Sequence, residues 1–103
     1  MGGDGVWALG IAHPEQFAAL APVGSWYVAP KNMCVLRDVP VWDFQGEADM
    51  IVPPTFAKNI VDALKLCGGN VRLTLFPGEG HEQSSSHAYG MDELYQWFLV
   101  QEK

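Results

Sequence analysis

The sequence predicts an α/β domain, a three-stranded parallel sheet flanked by helices, and three observations carry that prediction. Short runs rich in strand formers alternate with longer runs whose apolar residues recur every three to four positions. Strands separated by helices pair in parallel and bury both faces. The chain of 103 residues suits one domain, spanning 1–103, and argues against two. Its composition, 49% hydrophobic and 17% charged with four Trp, five Phe and three Tyr, excludes a disordered chain.

Residues 2–13 hold Val6, Trp7, Leu9 and Ile11 among glycines. Glycines weaken a free helix but permit one packed closely on a sheet, and Pro14 stops it by disfavouring helical geometry at His13. Residues 17–23, FAALAPV, are an apolar run between turn residues and read as a buried strand. Residues 24–39 mix Gly, Ser, Pro and Asn without a period and read as loop. Residues 40–45, PVWDFQ, read as the second strand, ended by Gly46. After a loop over 46–54, Pro53-Pro54 open a helix that runs to about Cys67. Phe56, Ile60, Leu64 and Cys67, with Val61 beside them, form its apolar stripe, and Gly68-Gly69 stops it. Residues 71–76, VRLTLF, alternate as the third strand, closed by Pro77-Gly78-Glu79-Gly80. Residues 81–87, HEQSSSH, read as polar loop. Met91, Leu94, Tyr95 and Phe98 make a closing amphipathic helix with Asp92 and Glu93 at its positive end.

Several function classes fall away. A net charge of −6 with scattered Lys and Arg argues against a nucleic-acid partner. No window of about 20 residues is free of charged and turn-forming residues, so no membrane span is expected. The amino terminus has neither a basic n-region nor an apolar h-region, and Val6 stands where a myristoylation motif wants Ser or Thr. Cys34 and Cys67 lack CxxC or ligand spacing; they read as two partly buried thiols in a reducing compartment, a disulfide being neither required nor excluded. The expectation is a cytoplasmic protein with no metal and no cofactor.

In open parallel sheets, function gathers in loops beyond the carboxyl ends of strands. Two such loops stand out, 45–53 with Asp49 and 77–82 with His81. An Asp that orients a His, and a His that moves a proton, are two members of a catalytic triad. Each also has a plainer reading, Asp49 as the head of an Asx-turn and His81 as a loop His. His87 beside Ser84, Ser85 and Ser86 reads as solvated loop, as do Glu79 and Glu82. Trp26 and Tyr27 serve equally as pocket lining or as core.

The segment Gly46-Glu47-Ala48-Asp49-Met50-Ile51-Val52-Pro53 resembles the Gly-x-x-Asp-x-x-Val-Pro stretch that carries the triad Asp in α/β-hydrolases. The group it resembles holds phospholipase/carboxylesterases, feruloyl-esterase-like enzymes and prolyl-oligopeptidase-like predicted peptidases. Gly80-His81 resembles the Gly-His of the same enzymes, and residues 92–99 their last helix. Residues 1–8 and 13–19 resemble the segments that follow the nucleophile. Covering nearly the whole chain, the resemblance implies the C-terminal half of an α/β-hydrolase fold. It implies that Asp49 orients His81, that His81 acts as general base and then acid, and that Met1 supplies an oxyanion-hole N–H. It implies substrate contacts at Trp26, Tyr27 and Met50, a pocket shared by loops 24–39 and 50–54, and hydrolysis of a small ester or peptide substrate.

The departures are as informative. In that family the nucleophile elbow reads Gly-x-Ser-Met-Gly-Gly; this chain starts at the Met, and no other Gly-x-Ser-x-Gly occurs in it. The Ser is therefore expected immediately before Met1. Gln45 stands where the family often has His, and residues 82–88 lack its aromatic-containing stretch. The expectation is a portion of a serine hydrolase, inactive alone. The alternative is a non-catalytic binding or assembly module, self-associating through the open edge of its first strand.

Overall fold

A computed structural model describes residues 2–101. Its elements are α1 (Gly2–Ala12), β1 (Val41–Gly46), α2 (Thr55–Leu66), β2 (Val71–Phe76), α3 (His81–Tyr89) and α4 (Asp92–Leu99), with 3₁₀ turns at Pro14–Gln16 and Met33–Leu36. β1 and β2 pair in parallel, Val41 opposite Val71 through Gly46 opposite Phe76, and α2 crosses between them. Side chains alternate across a strand, so β1 serves two cores. Val41 meets Trp7 and Ile11 of α1 and Ile60 and Leu64 of α2. Trp42 and Phe44 meet Ala88 of α3 and Leu94 of α4. Every residue of β1 is consequently buried, as a strand covered on both faces requires.

α1 approaches the sheet through its glycines. A Cβ on Gly10 would collide with the Leu20 side chain, and one on Gly3 with the Val23 carbonyl. The Asp4 carboxylate accepts a 2.6 Å hydrogen bond from the Trp26 N–H, fixing the start of α1 to the segment after Val23.

Three expectations are corrected. The sheet has two strands, not three: residues 17–23 contribute two isolated parallel bridges, Leu20 to Val41 and Val23 to Phe44. Pro22 is the cause. The Leu20 N–H donates to the Pro40 carbonyl, Trp42 to Leu20, Phe44 to Pro22 and Gly24 to Phe44. The bond that would join the two bridges needs an N–H at residue 22, and proline has none.

Residues 81–87 are helical, not loop. α3 has no apolar stripe to announce it, since its buried residues are the small Ser84 and Ala88. Its start is held by the Gln83 side-chain oxygen, which accepts the Gly80 N–H at 2.9 Å, and by Ser84 Oγ, which donates to the His81 carbonyl.

Cys34 and Cys67 are not thiols but a disulfide, with Cα atoms 5.3 Å apart. It ties the Met33–Leu36 turn to the end of α2. No helix among the described residues is long and apolar enough to cross a membrane.

Candidate active site

Because β1 and β2 are parallel neighbours, the loop after β1 and the start of α3 leave the sheet at the same end. That places Asp49 and His81 together: His81 Nδ1 lies 2.7 Å from Asp49 Oδ2. Asp49 Oδ1 accepts the Ile51 and Val52 N–H groups at 2.8 and 2.7 Å, so the Asx-turn and the partnership with His81 coexist in one side chain. Burial pushes this carboxyl up, but the Val52 N–H, the His81 ring and the Ile51 N–H outweigh it and hold it below the ordinary Asp value. An ionised Asp49 requires the proton on His81 Nδ1. In the neutral ring this leaves Nε2, unpartnered among the described residues, as an acceptor.

Three further residues shape the pair, and sequence reasoning missed their part. Gln45 Nε2 donates to Asp49 Oδ2 at 3.1 Å and to the Val52 carbonyl at 3.0 Å, bracing the Asp49 loop from the end of β1. Gln45 is fully buried, one of two polar residues with Asp43 in β1, and an amide so placed needs partners. Gly24 has φ +59°, and a Cβ there would stand 2.9 Å from His81 Cε1, so it forms the seat of the imidazole. Gly46 lies directly under the Glu79 carbonyl, where a side chain would collide. The two loops can therefore join: the Ala48 N–H donates to the Glu79 carbonyl at 3.0 Å.

The remaining sequence candidates disperse. Met1 lies outside the described residues. Trp26, 44% exposed, stacks edge-on against Phe56 of α2 with centroids 5.0 Å apart. Met50, 98% exposed, projects from the Asp49 loop. Tyr27 packs against the core cluster around Trp7 and Leu36. Phe56, the first residue of the α2 stripe, is half-buried against Trp26 and lies outside the core clusters. Glu79 and His87 are not free loop residues but hydrogen-bond to each other at 2.7 Å. Among the described residues no cluster of His, Cys, Asp and Glu is arranged to hold a metal.

Residues 24–102, which include the Asp49 loop and His81, match the family model of the prolyl oligopeptidase family, peptidase S9. The chain belongs to the prolyl oligopeptidase family. Its fold is that of the α/β-hydrolases to which this family is related in structure: the crystal structure of a thermostable esterase superposes with a TM-score of 0.90 at 28% identity. A putative dienelactone hydrolase from Klebsiella pneumoniae subsp. pneumoniae MGH 78578 superposes with a TM-score of 0.66 at 18% identity, a likeness of fold alone. The alignments cover 99% and 96% of this chain but 29% of the esterase and 47% of the dienelactone hydrolase. No curated protein sequence matches the chain. The loops after β1 and β2, with Asp49 and His81, lie inside the residues that match the prolyl oligopeptidase family.

Proposed function

We propose that the chain supplies the acid and base of a serine hydrolase that cleaves an ester or peptide-like acyl bond. The observation that carries this reading is the 2.7 Å hydrogen bond from His81 Nδ1 to the buried Asp49, at the carboxyl ends of adjacent parallel strands, with Nε2 unpartnered among the described residues. Asp49 fixes the tautomer and ring orientation of His81 and stabilises the imidazolium that forms. His81 Nε2 takes the proton of an attacking hydroxyl and returns it to the leaving group.

The nucleophile in this reading is a Ser immediately preceding Met1, at the N-terminal end of α1. Two contacts support that location. Gly3 of α1 rests on Val23 and Ser25, and the His81 ring rests on Gly24 between them. The start of α1 and the imidazole therefore flank the same short stretch of chain. Met1 follows as an oxyanion-hole donor. Trp26, Phe56 and Met50 form the apolar border of the substrate site, with Tyr27 behind it. The Cys34–Cys67 bond favours an oxidising compartment over the cytoplasm.

The experiment is a set of variants in a protein extended upstream of Met1 in the same reading frame, assayed on p-nitrophenyl esters. Asp49→Asn is expected to lower kcat by about 10⁴-fold, the effect of a wrong His tautomer in a Ser-His-Asp enzyme. Activity that survives Asp49→Asn or His81→Ala refutes the reading, as does a frame with no Gly-x-Ser before Met1.

One observation favours a second reading, a non-catalytic assembly module. Leu20, Pro22 and Gly24 bond to β1 through backbone groups, so those of Ala19, Ala21 and Val23 point away from it; the Ala21 carbonyl accepts the Tyr89 hydroxyl and the Val23 carbonyl lies against Gly3 of α1, which leaves Ala19 as the open end of this edge. An apolar cleft of about 260 Å³, lined by Leu9, Phe17 and Ala21 among others, runs beside this edge. A chain that stays folded, associates through this edge and has no role in any hydrolysis when extended upstream would establish it.

A further inference from the structure

We propose that His87 and Glu79 form a positioning pair that sets the hydrogen bond between His81 and Asp49, an inference that rests on the catalytic reading of those two residues. His87 lies in the last turn of α3, the helix that His81 begins. Its Nδ1 donates to Glu79 Oε2 at 2.7 Å. The ring is seated as well as bonded: it stacks on Phe76, the last residue of β2, with centroids 4.0 Å apart and planes at 17°. Phe76 stacks in turn on Phe44 of β1. A 47% exposed His side chain is therefore anchored to both strands.

Glu79 is where the two site loops meet. Its carbonyl accepts the Ala48 N–H from the Asp49 loop, and its N–H donates to the Phe76 carbonyl at 3.3 Å. It precedes Gly80, the residue from which α3 and His81 start. Gly78, just before it, has φ +72°, so the turn it belongs to has a backbone conformation that glycine adopts most readily. The His87–Glu79 bond runs from the far end of α3 back to this turn. It closes a ring of which the rigid helix is one side, and the freedom of Glu79 relative to His81 is reduced accordingly. Glu79 Oε1 is buried without a partner, so His87 is the only side chain that bonds this carboxylate among the described residues. A carboxylate so placed costs desolvation, and a fixed orientation is what it provides.

The test uses the 103-residue chain and reads the low-field proton resonance of His81 Nδ1–H, assigned by its loss in His81→Gln. His87→Phe keeps a ring on Phe76 and removes the hydrogen bond. Glu79→Ala breaks the same bond from the other end. Glu79→Gln, whose amide oxygen still accepts from His87, is the conservative rescue. In the first two variants the resonance is expected to move upfield and to exchange with water about three- to fivefold faster, the range of a partly exposed charged pair. Glu79→Gln is expected to stay within about twofold of the parent.

An unchanged resonance in both His87→Phe and Glu79→Ala overturns the proposal. So does its absence from the parent chain. Loss of fold in one variant leaves the other to decide, and loss of fold in both overturns it, because the pair then serves stability and not the geometry of His81. The catalytic reading fails separately: a coupling seen here beside full activity in Asp49→Asn would leave Glu79 and His87 positioning a pair that does no catalysis.

Discussion

Asp43 and Asp49, separated by one turn of chain, respond to pH in opposite directions. Asp43 is fully buried in β1, with neither carboxyl oxygen hydrogen-bonded. Burial pushes it well above the ordinary Asp value; the nearby Phe44 N–H offsets this little, being already committed to the Pro22 carbonyl. The folded state therefore holds a proton that the unfolded state releases, and stability falls as pH rises from about 4 towards the raised native value. Asp49 is lowered, so its contribution is present above the unfolded value and is lost as pH falls through the native one. Asp43→Val is expected to raise stability at neutral pH by about 1–3 kcal/mol, the cost of an unsatisfied buried polar group. It should also flatten the decline of the urea midpoint with rising pH, which a denaturation series measures. Gly24→Ala tests the seat of the imidazole. Its positive φ disfavours any Cβ by about 1–2 kcal/mol, and displacing His81 by a fraction of an ångström lowers kcat of the upstream-extended protein by about 10²-fold.

At the scale of elements, Pro22 decides how many strands the sheet has. Pro22→Ala supplies the missing N–H opposite the Trp42 carbonyl, and hydrogen exchange should find a newly protected amide at residue 22 if the bridges fuse into a strand. The sequence was legible where periodicity and composition agree: β1, β2, α1, α2 and α4 lie close to where their patterns put them. It was not legible at 17–23, where the apolar run masks a single absent donor. Nor was it at α3, whose buried face of Ser84 and Ala88 carries no hydrophobic signal and whose start depends on Gln83 reaching back to Gly80. Asp49 and His81 could be picked out because parallel strands gather their loops at one end. Gly24, Gln45 and the Glu79–His87 pair could not, since each acts through contacts between segments that only folding brings together.

Over the whole molecule, the unpaired backbone at Ala19 and the scarcity of charge have one explanation. A chain that covers 29% of a related esterase exposes surface which, in that larger protein, other parts of the sheet can cover. Sedimentation over a range of protein concentration is expected to show self-association of the 103-residue chain, and Ala19→Lys, which places a charge at the half-buried end of the edge, is expected to suppress it. A monomer at every concentration would remove the edge from consideration. The disulfide acts against the same marginality. Closing a loop with a sequence separation of 33, it restricts the unfolded chain by about 3–4 kcal/mol, and Cys34→Ser with Cys67→Ser should lower stability by that amount in urea melts.

That bond also turns part of the polypeptide into a lasso. Everything from Cys34 to Cys67 is threaded on it, β1, Met50 and α2 included, while His81 stands outside. Met50 and Ile51, an exposed stretch open to a protease, lie inside the noose. A cut there opens the ring without freeing a piece. The nicked protein should migrate as one band on a gel until a thiol reductant is added and as two afterwards, so the loop that carries Asp49 can be severed and still remain attached.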